Sequence, residues 1–175
     1  KRTIEIDSSS GKQKSSEEVK DGDKLSKTTI IEKIGDNQGG LTGETITTTT
    51  LNPKAQNEQT TVSRILLDGS KIEIKYKQGS DEIKDSTVTI TTNDGRINYQ
   101  FSGESYLKIK SSINNENRLN QILIEATKAG VDINKVEQGI IGGINDVHLE
   151  FDGDSIYSMD KHFVKQKIFL EKIFC

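Results

Sequence analysis

Hydrophobic and polar residues alternate along several short segments of this chain, and Asp-Gly pairs separate many of these segments. Asp-Gly occurs four times, at residues 21–22, 68–69, 94–95 and 152–153. The pair favours tight hairpin turns, because both central positions of such a turn adopt positive φ at low cost. The pattern therefore predicts a domain built largely by folding strands back on their neighbours.

Two hairpins stand out, one formed by residues 62–67 and 71–77 and the other by residues 87–92 and 96–101. Apolar residues alternate on one side of these segments, and Thr, Lys, Glu, Asn and Gln occupy the other. One wet face is typical of an antiparallel sheet. The apolar side carries Ile72, Ile74, Tyr76, Val88, Ile90, Ile97, Tyr99 and Phe101.

Further strands are predicted from alternation and β-branched residues, and a polar stretch precedes most of them. The predicted strands are 1–6, 29–34, 41–51, 105–111, and a last hairpin of 147–151 with 155–158. Residues 7–28 are rich in Ser, Lys and Asp, which is the composition of a linker or long polar loop. We therefore expect a leading segment at 1–28 and a single domain at 29–175.

The glycine-rich stretch between the second and third of these strands invites comparison with a phosphate-binding loop. Neither the Lys-Ser/Thr pair nor a helical pattern follows it, and a P-loop needs both. A wide hairpin loop is the better interpretation.

A helical period replaces the alternation at residues 114–129, where apolar residues recur three and four positions apart. Asn114 or Asn115 is a suitable N-cap and Gly130 a suitable C-terminal cap. A second helix is predicted at 132–141, with Asp132 as its cap, and residues 159–175 fit either a strand or a buried helix. The sequence thus predicts an α+β fold, an antiparallel meander of about seven to nine strands covered on one face by C-terminal helices. The core side chains expected from the first helix are Leu119, Ile122, Leu123 and Ala126.

Composition narrows the functional classes. With 24 basic and 27 acidic residues the net charge is −3, so there is no basic excess for nucleic-acid binding. The apolar runs are too short for a transmembrane segment. Twenty-three Ile against few Ala, Arg and Pro indicate an AT-rich genome, which we take to be bacterial. The single cysteine, Cys175, excludes an internal disulfide framework. It fits both a cytoplasmic and an exported protein, and the start at Lys1 suggests one part of a larger protein.

No residues form a recognisable catalytic or metal-binding motif. The two histidines are His148 and His162, and Cys175 lies too near the end of the chain for a rigid nucleophile. Acidic residues near the last Asp-Gly pair fail the EF-hand spacing after the second acid. We assign no catalytic residue and expect no metal and no cofactor. The acids in question are Glu150, Asp152, Asp154 and Asp160.

The C-terminal stretch combines basic and apolar residues and is the one segment whose composition suggests contact with another molecule. Such a segment docks in a partner groove or on an anionic membrane surface. The favoured alternative is that it packs on the sheet, because its apolar residues do not collect on one helical face. The candidate contact residues are Lys161, Lys165, Lys167, Phe169, Lys172 and Phe174.

These observations favour a non-catalytic binding or protein-interaction module with another protein as its partner. One alternative is a carrier of a small apolar ligand in a cupped sheet. Another is a hydrolase-type enzyme, which would gather His148 or His162 with acids such as Asp146, Glu150 or Asp152 in a cleft.

Overall fold

Two antiparallel sheets and two α-helices make up the computed structural model of the chain. It describes all residues except 1, 8–11, 36–40, 144–147, 153–154, 160–164 and 169–175, and it describes side chains at residues 13–33, 44–142 and 149–151. Within these residues the larger sheet has eight strands and the smaller has five. The predicted α+β antiparallel meander is confirmed.

The larger sheet is a simple meander in which each strand pairs with the next along the chain, in the order β1 to β8. Every pairing is antiparallel, so short connections suffice. Its strands are β1 Arg2–Asp7, β2 Lys12–Asp21, β3 Lys24–Gly35, β4 Leu41–Leu51, β5 Gln59–Ile65, β6 Lys71–Lys75, β7 Thr87–Thr91 and β8 Asn98–Ser102.

Two helices follow the larger sheet: α1 Gly103–Ser112 and α2 Glu116–Lys128. The predicted cap of α2 is present, since Asn115 Oδ1 accepts a hydrogen bond from the Arg118 amide at 3.2 Å. All four side chains predicted to face the core from α2 are buried. The helical period of the sequence is therefore confirmed at this point.

The smaller sheet comes last and has the order β13-β12-β11-β10-β9, again with antiparallel neighbours. The strands are β9 Val131–Glu137, β10 Ile140–Gly143, β11 His148–Asp152, β12 Ser155–Met159 and β13 Lys165–Ile168. The predicted final hairpin is confirmed as β11 and β12. Residues 165–168, for which the sequence allowed either a strand or a helix, form a strand.

The core lies between the helices, strands β6 to β8 and the smaller sheet. Helix α1 packs against β7, β8 and β9, and α2 packs against β7 and β9. The buried hydrophobic residues of the described chain all lie from Leu66 onward. Ile97 departs from the prediction: it precedes β8 and is 38% exposed.

Three of the four Asp-Gly pairs fall in described residues, and in all three the glycine has positive φ. The values are 65° at Gly22, 89° at Gly69 and 72° at Gly95. Each glycine lies between two paired antiparallel strands. The positive φ expected of the glycine is confirmed at these three turns, whereas Asp21, Asp68 and Asp94 do not adopt the positive φ expected of the other central position.

The predicted strand at 105–111 is wrong, because these residues belong to α1. The Ser102 hydroxyl accepts a hydrogen bond from the Ser105 amide at 3.1 Å and so caps the helix. Tyr106 and Ile109, three residues apart, both point into the core. The spacing of Tyr106 and Ile109 fits a helix that buries both side chains, whereas the alternation of Leu107 and Ile109 had suggested a strand.

The predicted helix at 132–141 is also wrong, since β9 and β10 form a hairpin here. Asp132 caps no helix; its carboxylate instead accepts a hydrogen bond from the Tyr99 hydroxyl at 2.9 Å. Gly139 has a φ of 72° and makes the turn. The alternating burial of Val131 and Ile133 reflects a strand period.

The expectation of a loop or linker at 7–28 is wrong for residues 12–21 and 24–28, which belong to β2 and β3. Both strands form backbone ladders with their neighbours, with one register shift between Val19 and Lys20. The division into a leading segment and a separate domain stays a prediction. The predicted glycine-rich loop falls mostly at residues 36–40, outside the described chain, although β3 and β4 pair as a hairpin around it.

Candidate functional site

One face of the larger sheet is covered by helices at one end, and no helix of the described residues covers it at the other end. A single cross-strand row on this face runs through Ile30, Thr48, Val62, Ile74 and Val88. Val88 lies beneath the helices and is 0% exposed. Val62 belongs to the same row but is only half-buried. The two valines therefore lie in the same cross-strand row of the same face, but helices pack over Val88 only.

We call the uncovered part of this side the open face, and we define it by Ile30, Ile46 and Val62 with the threonines around them. These aliphatic residues are half-buried. The flanking threonines are Thr28, Thr48, Thr50 and Thr60. β-branched side chains suit a pleated surface, which explains why this composition forms strands without a second layer.

The chemistry of the open face is that of an aliphatic surface with hydroxyl groups between the methyl groups. The hydroxyls of Thr50 and Thr60 lie 3.3 Å apart across β4 and β5, so each one is positioned by its neighbour. Such a surface packs against apolar groups and offers hydrogen bonds at its margin. The side chain of Glu32 lies on the same face opposite Ile46, so one carboxylate borders these aliphatic residues.

The opposite side of the same strands is polar throughout the sheet. One row on it runs from Thr29 through Thr49, Thr61 and Lys75 to Thr87. The exceptions among the described side chains are Val19, Leu51 and Ile65, with 42%, 42% and 44% exposure, and the half-buried Ile31. Their partners in the ladder are Lys, Ser, Gln and Thr, so this side presents no continuous apolar area.

Arg64 marks the border between the open face and the helix-covered part of the sheet. Its Nε donates to the carboxylate of Glu44 on β4, and its Nη1 lies 2.6 Å from Oε1 of Glu116, the first residue of α2. Glu44 is 7% exposed, so this carboxylate needs its cationic partner. Burial raises the pKa of the nearby Tyr106 hydroxyl, and the Glu116 carboxylate raises it further.

A second surface feature is an open groove of about 680 Å³ between the C-terminal end of α1 and the β9–β10 turn. Lys108 and Ser111 line one side, and Val136, Glu137 and the partly exposed Ile140 line the other. One cation, one carboxylate and two aliphatic groups do not specify a class of ligand.

The residues predicted from sequence to contact a partner fall in the last part of the chain. The backbones of Lys165 and Lys167 lie in β13. Their side chains, like the other four candidates, lie outside the described part of the chain. Those four are Lys161, Phe169, Lys172 and Phe174. The assignment stays a prediction.

Most of the candidate catalytic side chains also lie outside the residues whose side chains the structure describes. His148 contributes its backbone to β11, whereas His162 and Cys175 lie outside the described residues. Glu150 is half-buried on β11. Of the acids considered for calcium, Asp154 and Asp160 are also outside. Across the described residues, no cluster of three or more His, Cys, Asp or Glu could hold a metal ion.

The open face was not predicted from the sequence. Alternation of apolar and polar residues indicates that a strand has one apolar and one polar side, but it does not indicate which other elements cover those sides. A signal was present in residues 45–50, where five threonines surround a single Ile46. A strand beneath a helix layer carries more aliphatic residues, as Val88 and Ile90 do on β7.

Neither α-helix in the described part of the chain has the length and apolar character that crossing a bilayer requires. Comparison with models of protein families, with curated proteins and with solved structures finds no match to this chain.

Proposed function

We propose that this chain is a non-catalytic protein-interaction module that binds another protein on its open face. The observation that supports the proposal most directly is the contrast between Val62 and Val88, which lie in one row of one sheet face. Val88 is covered by helices, and no helix among the residues that the structure describes packs over Val62 in the same way. A partner that packs on Ile30, Ile46 and Val62 would complete the second layer that a sheet normally has.

Binding at the open face would remove aliphatic surface from water, and this is the main favourable term in protein association. The threonine hydroxyls at its margin would form the polar rim that such interfaces have. The abundance of Ile and the scarcity of Ala, Arg and Pro add the expectation of an AT-rich, bacterial genome.

Photo-crosslinking in the cells that make the protein tests this proposal. A photoreactive phenylalanine analogue is placed at Val62 in one variant and at Ser63 in the other. These neighbours in β5 lie on opposite sides of the sheet, so Ser63 is the matched control. We expect a discrete crosslinked protein from position 62 and none from position 63. Equal crosslinking from both positions, or none from position 62, would contradict the proposal.

Native mass spectrometry of protein purified from its own cells separates this proposal from the two alternatives. A bound protein supports the interaction module. A co-purifying small molecule would favour the carrier of an apolar ligand instead. The hydrolase alternative depends on groups at 146, 148, 152 and 162, whose side chains lie outside the described residues, and it stays a prediction.

A further inference from the structure

The two outermost strands of the structure, β1 and β13, lie at opposite ends of the two sheets. Among the described residues, β1 pairs only with β2 and β13 pairs only with β12. Within the described part of the chain, the second edge of each strand has no ladder partner for its backbone N–H and C=O groups. Exposed edges of this kind are templates for pairing with another chain.

The register of β1 against β2 places residues of opposite charge at facing positions. Three of the six residue pairs in this ladder join opposite charges: Arg2 with Glu17, Glu5 with Lys14, and Asp7 with Lys12. Cross-strand pairs of opposite charge stabilise a ladder, and like charges in the same places destabilise it. The edge strand β1 therefore selects a neighbour that carries basic residues two positions apart, opposite Glu5 and Asp7.

The strand β13 has that sequence. The tripeptide Lys-Gln-Lys occurs twice in the chain, at residues 12–14 in β2 and at residues 165–167 in β13. In β2 it lies opposite Asp7, Ile6 and Glu5. In β13 the two lysines lie opposite Met159 and Tyr157 of β12, which carry no formal charge at neutral pH. Register thus supplies no carboxylate for Lys165 and Lys167 on the β12 side.

We propose that β1 of one copy pairs antiparallel with β13 of a second copy, in the register that β1 uses with β2. Asp7 would lie opposite Lys165, Ile6 opposite Gln166, Glu5 opposite Lys167 and Ile4 opposite Ile168. The contact joins two different surfaces of the same chain, so it repeats head to tail and builds a ring or a filament. It uses strand edges and is independent of the open face.

Charge reversal at one pair tests the proposed register. Lys165→Glu places two carboxylates opposite each other, and Asp7→Lys with Lys12→Glu places two cations there. The double substitution keeps an opposite-charge pair between residues 7 and 12, so the β1–β2 ladder is preserved. Sedimentation velocity from about 5 µM to about 500 µM covers the range expected for a small interface. We expect each variant to associate about fivefold more weakly than the natural chain.

Mixing the two variants is the decisive measurement, because every contact in an alternating assembly then regains an opposite-charge pair. We expect association of the mixture to return to the strength of the natural chain. Lys77→Glu, which changes the net charge as much as Lys165→Glu does but at an exposed position outside both edges, is the control and should leave association unchanged. A monomeric natural chain, an equal loss in the control, or a mixture no stronger than its components would each overturn the proposal.

Disulfide trapping gives a second readout that does not depend on charge. Ile6→Cys and Gln166→Cys are combined with Cys175→Ser, so that the two new thiols are the only ones in the chain. Because residues 6 and 166 are directly opposed in the proposed register, mild oxidation should give a ladder of disulfide-linked multimers on a non-reducing gel. Disulfides formed only within single chains would overturn the pairing between copies. Failure here would leave binding at the open face untouched, since the crosslink from position 62 reports on a different surface.

Discussion

The hydroxyl of Tyr99 donates a hydrogen bond to Oδ1 of Asp132 at 2.9 Å, and this bond joins the last strand of the larger sheet to the first strand of the smaller one. The same carboxylate oxygen accepts from the Asn134 amide at 3.0 Å, which holds it in place. Asn134 in turn accepts from the Ser102 amide at 2.9 Å. Side-chain hydrogen bonds therefore link β8 and β9, whereas backbone ladders link the strands within each sheet.

Removing the Tyr99 hydroxyl should weaken this junction without disturbing the core. Tyr99→Phe keeps the ring that stacks on Phe101 with centroids 6.2 Å apart. We expect the free energy of unfolding to fall by about 1 kcal/mol, the usual net value of one hydrogen bond. Urea denaturation measures the change. The control is Asn98→Ala, which removes an exposed hydrogen bond on the same strand and should change the free energy by less than about 0.5 kcal/mol.

Val62 and Val88 offer a matched test of where the core ends, because they have the same side chain and lie in the same row of the same face. Val88→Ala should lower the free energy of unfolding by about 2–3 kcal/mol, since it leaves a cavity under the helices. Val62→Ala should cost about 1 kcal/mol or less, because water fills the space on the open face. Equal losses at both positions in urea denaturation would show that the open face is covered.

The hairpins and helix α2 could be predicted from the sequence because their signals are local and agree with one another. In β5 to β8, alternation, β-branched residues and Asp-Gly turns all indicate the same strands. In α2 the cap at Asn115 and the spacing of Leu119, Ile122 and Leu123 indicate the same helix. β6, β7, β8 and α2 each bury residues of one face in the core, so their patterns of polarity reflect their surroundings.

Strand β2 could not be predicted, because its own residues have the composition of a linker. The neighbouring strands stabilise it as a strand. Its sequence, KQKSSEEVKD, has one hydrophobic residue, Val19, which is 42% exposed. The backbone ladders to β1 and β3 hold it in the sheet. None of these partners is visible in a window of ten residues. The open face escaped prediction for the related reason that coverage is a property of the tertiary structure.

Gly103 opens α1 at a point where no side chain fits. A Cβ atom built there would lie 1.7 Å from the carbonyl oxygen of Ile83 and 2.3 Å from Oγ of Ser86. Gly103→Ala should therefore displace the start of the helix and lower the free energy of unfolding by about 3 kcal/mol or more. Gly22→Ala is the control: it has open space and only a positive φ of 65°, so about 1 kcal/mol is expected. A smaller loss at Gly103 than at Gly22 in thermal unfolding would contradict this account.

Among the charged residues of the described chain, we expect substitution of Arg64 to lower the free energy of unfolding most, because Arg64 forms an ion pair with the buried carboxylate of Glu44. Arg64→Met leaves that carboxylate without this cation and should cost about 2–3 kcal/mol in urea denaturation. Glu116→Gln removes only the outer partner of Arg64, whose side chain is 66% exposed. That control should cost less than about 0.5 kcal/mol. A loss at Glu116 as large as the loss at Arg64 would place the important ion pair at the helix instead.

Stability should fall at alkaline pH because three tyrosines lose protons less readily in the folded state than in the unfolded one. Burial is the largest cause of the raised pKa at Tyr76, Tyr99 and Tyr106, each above an ordinary value of 10.0. A raised folded pKa gives a stabilising contribution that is complete below the unfolded pKa. That contribution is lost as the pH rises through the folded pKa. We therefore expect the urea midpoint to stay level as pH approaches about 9 and to drop above about 10. Tyr106→Phe should make that drop shallower, because Tyr106 is the most buried of the three. An unchanged slope in this variant would show that other groups cause the alkaline loss.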